Sequence, residues 1–215
     1  MKNFNDMLSE YANLIVKVGI NLQKGQPLVI NSPIEGVEFV RLVAKHAYEA
    51  GAKQVHVNWN DEALTKMKYE NSPMEVFENF PKWYADGLEE FAEDGAGFLS
   101  IYSEDPELLK DVDPKKIAAN NKSSSMALKG YRKYVMNDIN SWCVVSIPTK
   151  GWAKRVFPDV PEDEAMEKLW DAIFKATRMD LENPVKAWED HLKNIKSKVD
   201  YLNEKTFKKL YYKSS

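Results

Sequence analysis

Pro27-Leu28-Val29-Ile30-Asn31-Ser32, a helical stretch from Gly36 to Ala50, and then Gln54-Val55-His56-Val57-Asn58-Trp59 decide the fold. The two outer runs are short, apolar and rich in β-branched residues, which predicts strands. Between them Phe39, Val40, Val43, Ala44 and Ala47 recur at three- and four-residue steps, the pattern of a helix with one buried face. Gly51 supplies the helix stop, because glycine enters positive φ without steric cost. Strand, helix, strand at this spacing is a βαβ unit, so the strands are expected to be parallel with a right-handed crossover.

The same alternation continues on both sides. Upstream, Phe4, Met7, Leu8, Tyr11, Leu14, Ile15 and Val18 form the apolar stripe of a helix that fades between Asn21 and Gly25. Downstream, residues 61–95 are helical but broken by Pro73 and Pro81. A third strand is expected at Gly97–Tyr102 and a fourth at Trp142–Ile147, ended by Pro148. Asp113-Pro114 caps and starts the helix between them, which is expected to reach about Asn137. Two helices follow, from Pro161 and from Asn183-Pro184. The second carries a long seam of Val185, Trp188, Leu192, Ile195, Val199 and Leu202. The expected class is α/β: a mainly parallel sheet with helices on both faces. Residues 1–206 read as one domain. Residues 207–215, with Phe207, Leu210, Tyr211 and Tyr212, read as a linker or the start of a strand leading into a further domain.

The chain has 215 residues, 44% hydrophobic and 29% charged, which suits one domain with a sizeable core. A net charge of −3 gives no electrostatic reason to bind nucleic acid or an anionic membrane. The single cysteine, Cys143, excludes a disulfide within the chain and gives no sign of an oxidising compartment. Met1-Lys2-Asn3-Phe4 opens without the apolar core of a signal peptide, and no apolar run approaches membrane-spanning length. A cytoplasmic protein is expected.

The chemistry-bearing motifs are sparse. There is no Gly-rich phosphate loop, no His-Glu-x-x-His, no cysteine pair and no Gly-x-Ser-x-Gly elbow. The three histidines, His46, His56 and His191, fall in three different elements, whereas a catalytic zinc needs about three clustered ligands. His56 alternates with Val55 and Val57 and is expected to pack under a helix and bond to backbone, although a pairing with Asp61 on a metal is the sharper reading. Cys143, within an apolar run, is expected to be a small buried hydrophobe. The late lysines alternate with acidic residues and read as a solvated helix face.

Ligands of parallel sheets bind outside the carboxyl ends of the strands. Those ends are Ser32–Glu35, Asn58–Asp61, Tyr102–Asp105 (through Glu104) and Thr149–Trp152. Ser32, Glu35, Asn58, Asp61, Thr149 and Trp152 are therefore the candidate substrate-cleft residues, against the plainer reading that these strand ends are merely polar turns. Trp152 has two readings, a cleft wall or an anchor of its own loop to the core.

The segment W-C-V-V-S-I-P-T-K-G-W-A-K-R-V-F-P, from Trp142 to Pro158, resembles the aminopeptidase T and aminopeptidase S family of bacterial metallo-aminopeptidases. So do Lys168-Leu169-Trp170-Asp171-Ala172-Ile173, Ala176-Thr177-Arg178, Asn183-Pro184 and Trp188-Glu189-Asp190-His191-Leu192, together with Gly25-Gln26-Pro27-Leu28 near the start. The resemblance covers essentially the whole chain. It implies an enzyme about twice this long that removes N-terminal residues from peptides with a divalent metal pair, zinc or cobalt. The ligands, carboxylates and histidines, would lie in the other half, so no residue of this chain inherits one and no catalytic residue is assigned. The chain is then expected to be inactive alone, to support the cleft, and to partner its C-terminal domain and a second copy in a homodimer. The alternatives are a free-standing module that binds a peptide or protein, and a small-molecule hydrolase built on the strand-end rim. No nucleophile with an orienting base supports the last.

Overall fold

The computed structural model describes residues 3–103, 105 and 107–214. Glu104, the middle of the third expected rim segment, lies outside the described residues, as do Met1, Lys2, Pro106 and Ser215.

Four strands form the sheet among the described residues: β1 (Leu28–Pro33), β2 (Val55–Asn60), β3 (Gly97–Tyr102) and β4 (Trp142–Ser146). Their order is β2-β1-β3-β4, and every pair is parallel. Leu28 stands level with Val55 on one side and with Gly97 on the other. The expected parallel α/β fold is therefore the observed one, with Val55 and Val144 in one sheet.

Side chains alternate across the sheet, as the two-residue strand period requires. Leu28, Ile30, Leu99 and Ile101 enter the larger core. That core is closed by α1 (Phe4–Leu14), α2 (Val37–Glu49) and α9 (Glu162–Ala176), which contribute Tyr11, Phe39, Val43, Leu169 and Phe174. Val29 and Phe98 point the other way, against Leu88 and Ala92 of α5 (Lys82–Glu93) and Tyr131 and Tyr134 of α7 (Lys129–Met136). A third small cluster joins α3 (Glu62–Asn71) and α4 (Glu75–Glu78) to α6 (Pro114–Ala127) through Tyr69, Phe77 and Ile117.

Local chemistry explains most boundaries. Asn3, Asp61, Asp113, Thr149 and Asn183 each place a side-chain oxygen on a free N–H at the start of a helix. Gly51 sits at φ +93°, as its role after α2 demands. Past Leu14 the first helix widens into a π-helical turn, Ile15–Gly19, and Asn21 then takes positive φ. Gly19 touches the sheet edge so closely that a Cβ there would stand 2.8 Å from Cys143 Sγ.

Three expectations change. The segment after β4 is not an extended loop: Lys150–Val156 forms α8, capped by Thr149, with Gly151 inside it. The helix expected over 114–137 breaks at Leu128 into α6 and α7. In α10 (Pro184–Lys205) only the first part of the apolar seam finds a partner. Val185 and Trp188 pack on the core, whereas Leu192, Ile195, Val199 and Leu202 stand exposed. The following tail, Phe207–Tyr212, is exposed and joins no strand ladder among the described residues.

The contrast between the centre and the edge of the sheet is testable. Leu99 is fully buried on a central strand, whereas Val144 is 57% exposed on the edge. Leu99→Ala is expected to cost about 3 kcal/mol in urea unfolding, and Val144→Ala well under about 1 kcal/mol.

Candidate functional site

The sheet order places the switch in winding direction between β1 and β3, because the chain leaves β1 toward β2 and then crosses back to β3. A parallel sheet opens a crevice at that point, beyond the strand ends. The structure has such a crevice, of about 180 Å³, lined by Asn31, Ser32, Asn60, Glu62, Ser100 and Ser103 among others. Its walls combine the amide and hydroxyl groups of Asn31, Asn60, Ser32, Ser100 and Ser103 and the carboxylate of Glu62 with the apolar surfaces of Pro33, Ile101 and Tyr102.

Ser32 is buried, and its hydroxyl donates to the Pro33 carbonyl at 3.0 Å. Gly36 follows so tightly that a Cβ on it would stand 2.6 Å from Ser32 Oγ, so glycine is required for α2 to start there. Asn58 does not line the crevice. Its Nδ2 donates to Asn31 Oδ1 at 3.0 Å across the β1–β2 pair, and its own oxygen meets His56 Nε2 at 3.0 Å. Asp61 caps α3 by accepting from the Leu64 N–H at 3.0 Å. Glu62, one residue on, reaches the β3 side and accepts the Asp105 N–H at 2.7 Å. Ser103 Oγ is buried and without a hydrogen-bond partner among the described residues.

The structure thus brings Ser32 and the immediate neighbours of Asn58 and Asp61 to one crevice. Glu35 is exposed on the short 3₁₀ turn Ile34–Gly36. Thr149 caps α8, and the next turn packs beside the rim, with a Cβ at Gly151 falling 3.6 Å from Asp105 Oδ2. Arg155 of α8 pairs with Glu107 at 3.1 Å, and a hydrogen bond from Lys110, with Arg155 nearby, holds that carboxyl below its usual range. Trp152 turns away from the crevice. It packs, partly buried, against the larger core and lines a separate apolar groove of about 490 Å³.

Asn31, Ser100 and Glu62 were not singled out in the sequence, whereas Ser103 falls within the expected strand end Tyr102–Asp105. A signal for two of the three existed: Asn31 and Ser100 are polar interruptions of apolar strands and stand level on adjacent strands. Glu62 meets the crevice through the third dimension, which strand spacing alone does not supply.

The histidines stay apart. His46 bridges Ser9 at 3.1 Å and Glu49 at 3.0 Å, and His191 meets the edge of Trp188. His56 is exposed, lies against Phe91 and bonds to the Asn58 side chain rather than to backbone, which corrects the expected backbone bond. No group of three His, Cys, Asp or Glu side chains among the described residues stands close enough to hold a metal ion. The residues present do not fit a resident metal pair. None of the described helices is long and apolar enough to cross a membrane.

Comparison with known proteins defines the class. Residues 4–215 match the family described as thermophilic metalloprotease (M29), and the chain belongs to that family. Aminopeptidase 2 of Geobacillus stearothermophilus is 49% identical over 214 residues, covering 100% of this chain and 52% of that protein. Aminopeptidase T of Thermus thermophilus is 37% identical over 99% of this chain and 52% of its own length. The solved structure of wild-type AmpT from Thermus thermophilus superposes with a TM-score of 0.87 at 36% identity, over 95% of this chain and 50% of that one. The chain spans about half the length of the relatives it matches.

Cys143 adds a measurable consequence. Burial pushes its thiol up to about 11, above the unfolded-state value, so the neutral thiol stabilises the fold. That contribution is complete below about pH 8.5 and is lost as pH rises through about 11. Burial also raises the Tyr11 hydroxyl, whose proton goes to the Ser146 carbonyl at 3.2 Å. Native Cys143 is expected to alkylate at least tenfold more slowly at pH 8 than in urea-unfolded chain. Cys143 is thus half-buried on the apolar groove rather than fully buried as expected, and equal rates would contradict that placement. Trp152→Ala, removing a partly buried ring, is expected to cost about 2 kcal/mol in urea unfolding.

Proposed function

We propose that this chain is the N-terminal half of a metal-dependent aminopeptidase and carries none of its metal ligands. In this reading the other half holds a zinc or cobalt pair, which activates water and polarises the scissile carbonyl when bound. Residues 1–206 form the domain described above, and 207–215 lead toward the metal-bearing half. The whole protein acts on peptides, in the cytoplasm, as a homodimer.

The observation that carries the reading is the family match over residues 4–215, joined to relatives named aminopeptidases of which this chain spans half. Among the described residues His46 pairs with Glu49, Asp61 caps α3 and Glu62 accepts from the Asp105 N–H, so these side chains are engaged locally.

The role left to this half is substrate placement. Ser32 with Asn31 and Ser100 offers neutral hydrogen-bonding groups suited to a peptide backbone. Glu35, Asp61 and Glu62 make the rim acidic, which favours the ammonium end of a peptide over its carboxylate end. Asn58 holds Asn31 in place, and Thr149 fixes α8 beside the rim. Trp152 acts at a distance from this rim, through the packing of α8.

The test combines the purified chain with the remaining half of Aminopeptidase 2 of Geobacillus stearothermophilus. Hydrolysis of an unblocked dipeptide and of its N-acetylated form is measured with zinc or cobalt. The expected result is turnover of the unblocked peptide only, by the combination only, and its loss on chelation. Turnover by this chain alone would contradict the reading, and so would an inert complex of the two halves.

A further inference from the structure

The outer side of β4 carries no paired strand among the described residues. β4 is an edge strand. Phe98 donates its N–H to Ser141 O at 2.9 Å, and Ile147 donates to Tyr102 O at 3.4 Å. In a parallel ladder those two bonds turn the backbone groups of Cys143 and Val145 toward β3 and those of Val144 away from it. Ser146 O, on the same outer side, is taken by the Tyr11 hydroxyl. Val144 keeps its N–H on the open edge, and its carbonyl receives only a long contact from Cys143 Sγ at 3.9 Å.

The edge is apolar on both sides. The side chains of Trp142 and Val144 stand half exposed on the α7 side of the sheet. On the opposite side lies the groove of about 490 Å³, lined by Leu14, Val18, Trp152, Trp188 and Leu192. Leu192 is the first of the unpartnered α10 residues, so Ile195, Val199 and Leu202 extend the same apolar strip along the helix. Natural edges are usually shielded by charge, proline or a covering element, and a long apolar edge left open marks a pairing site. The other exposed large side chains, such as Leu64, Met126 and Met136, line no groove of this kind.

We propose that the β4 edge, its groove and the outer face of α10 receive an extended apolar segment from the other half of the M29 polypeptide, paired to Val144 as an added strand. The occupant follows from three observations. The relatives carry about as much chain again beyond what this one spans. The helix that leads out of the core toward the tail has its bare face on this same groove. A strand laid on β4 would alternate its side chains between the groove and the Trp142–Val144 face, and both are apolar. The inference rests on the aminopeptidase reading for the identity of the segment, though not for the existence of the surface.

The experiment measures binding of the remaining half of Aminopeptidase 2 of Geobacillus stearothermophilus to the full 215-residue chain by calorimetry, with amide exchange read at β4. Val144→Pro removes the outward N–H from an edge position that tolerates proline, and Leu192→Glu charges the groove. Each is expected to weaken binding at least tenfold while circular dichroism and melting stay near wild type. Leu64→Glu, at an exposed position elsewhere, is expected to leave binding unchanged. The Val144 amide is expected to become protected in the complex. Binding unaffected by both groove variants, or protection confined to the strand-end rim, would overturn the docking surface and leave the aminopeptidase reading intact. A complex protected at β4 that fails to turn over peptide would support the surface and sink that reading. Groove-dependent self-association of this chain, with no binding of the other half, would overturn the proposal in favour of a second copy as occupant.

Discussion

Parallel strands cannot be joined by tight turns, so each connection must cross a face of the sheet and cover it. That constraint governs this molecule. β1 and β3 lie at the centre with Leu28, Ile30 and Leu99 fully buried on one face and Val29 on the other, and neither strand is stable without helices on both sides. The crossovers through α2 and α5 supply those layers. They also collect the carboxyl ends of the strands on one rim, where the chain reverses its winding direction and the polar crevice opens. The crevice is thus a consequence of the connection rule, and its chemistry is set by the residues at the strand ends.

Two regions of the surface differ in their chemistry. The rim gathers the polar groups of Asn31, Ser32, Ser100 and Ser103 among Pro33, Ile101 and Tyr102, and Glu62 ties the start of α3 to the loop after β3. The β4 edge is apolar, with Gly19 allowing the π-helical turn to press against Cys143 and Trp152 and Trp188 walling a groove beside it. In the proposed reading the first would face a substrate and the second the polypeptide that completes the enzyme.

Much of this was legible in the sequence, for identifiable reasons. The strands at 28–33, 55–60, 97–102 and 142–146 announce themselves because a buried parallel strand is a short apolar run between turn residues. The caps at Asp113 and Asn183 are local chemistry and read directly. The helix after Thr149 departs from the turn expected at the strand end Thr149–Trp152, and its packing against α9 is a tertiary contact that the local sequence does not announce. Trp152 illustrates the limit for the site. Its position after the strand end left two readings, a cleft wall or an anchor to the core, and one helical turn places it against the core and the neighbouring groove. Asn31 and Ser100 were visible as polar breaks in apolar strands and Ser103 as part of a strand end, whereas Glu62 depends on how α3 closes against the loop after β3. The seam of α10 was read correctly as apolar, and its lack of a partner beyond Trp188 is a property of the tertiary structure alone.

The central claim is that this half of the fold positions and docks but holds no catalytic metal. Calorimetric titration of the isolated chain with zinc and with cobalt at neutral pH tests it most directly. The account predicts no stoichiometric tight site for either ion. Two metals bound per chain, with binding lost on replacing His56, would contradict it.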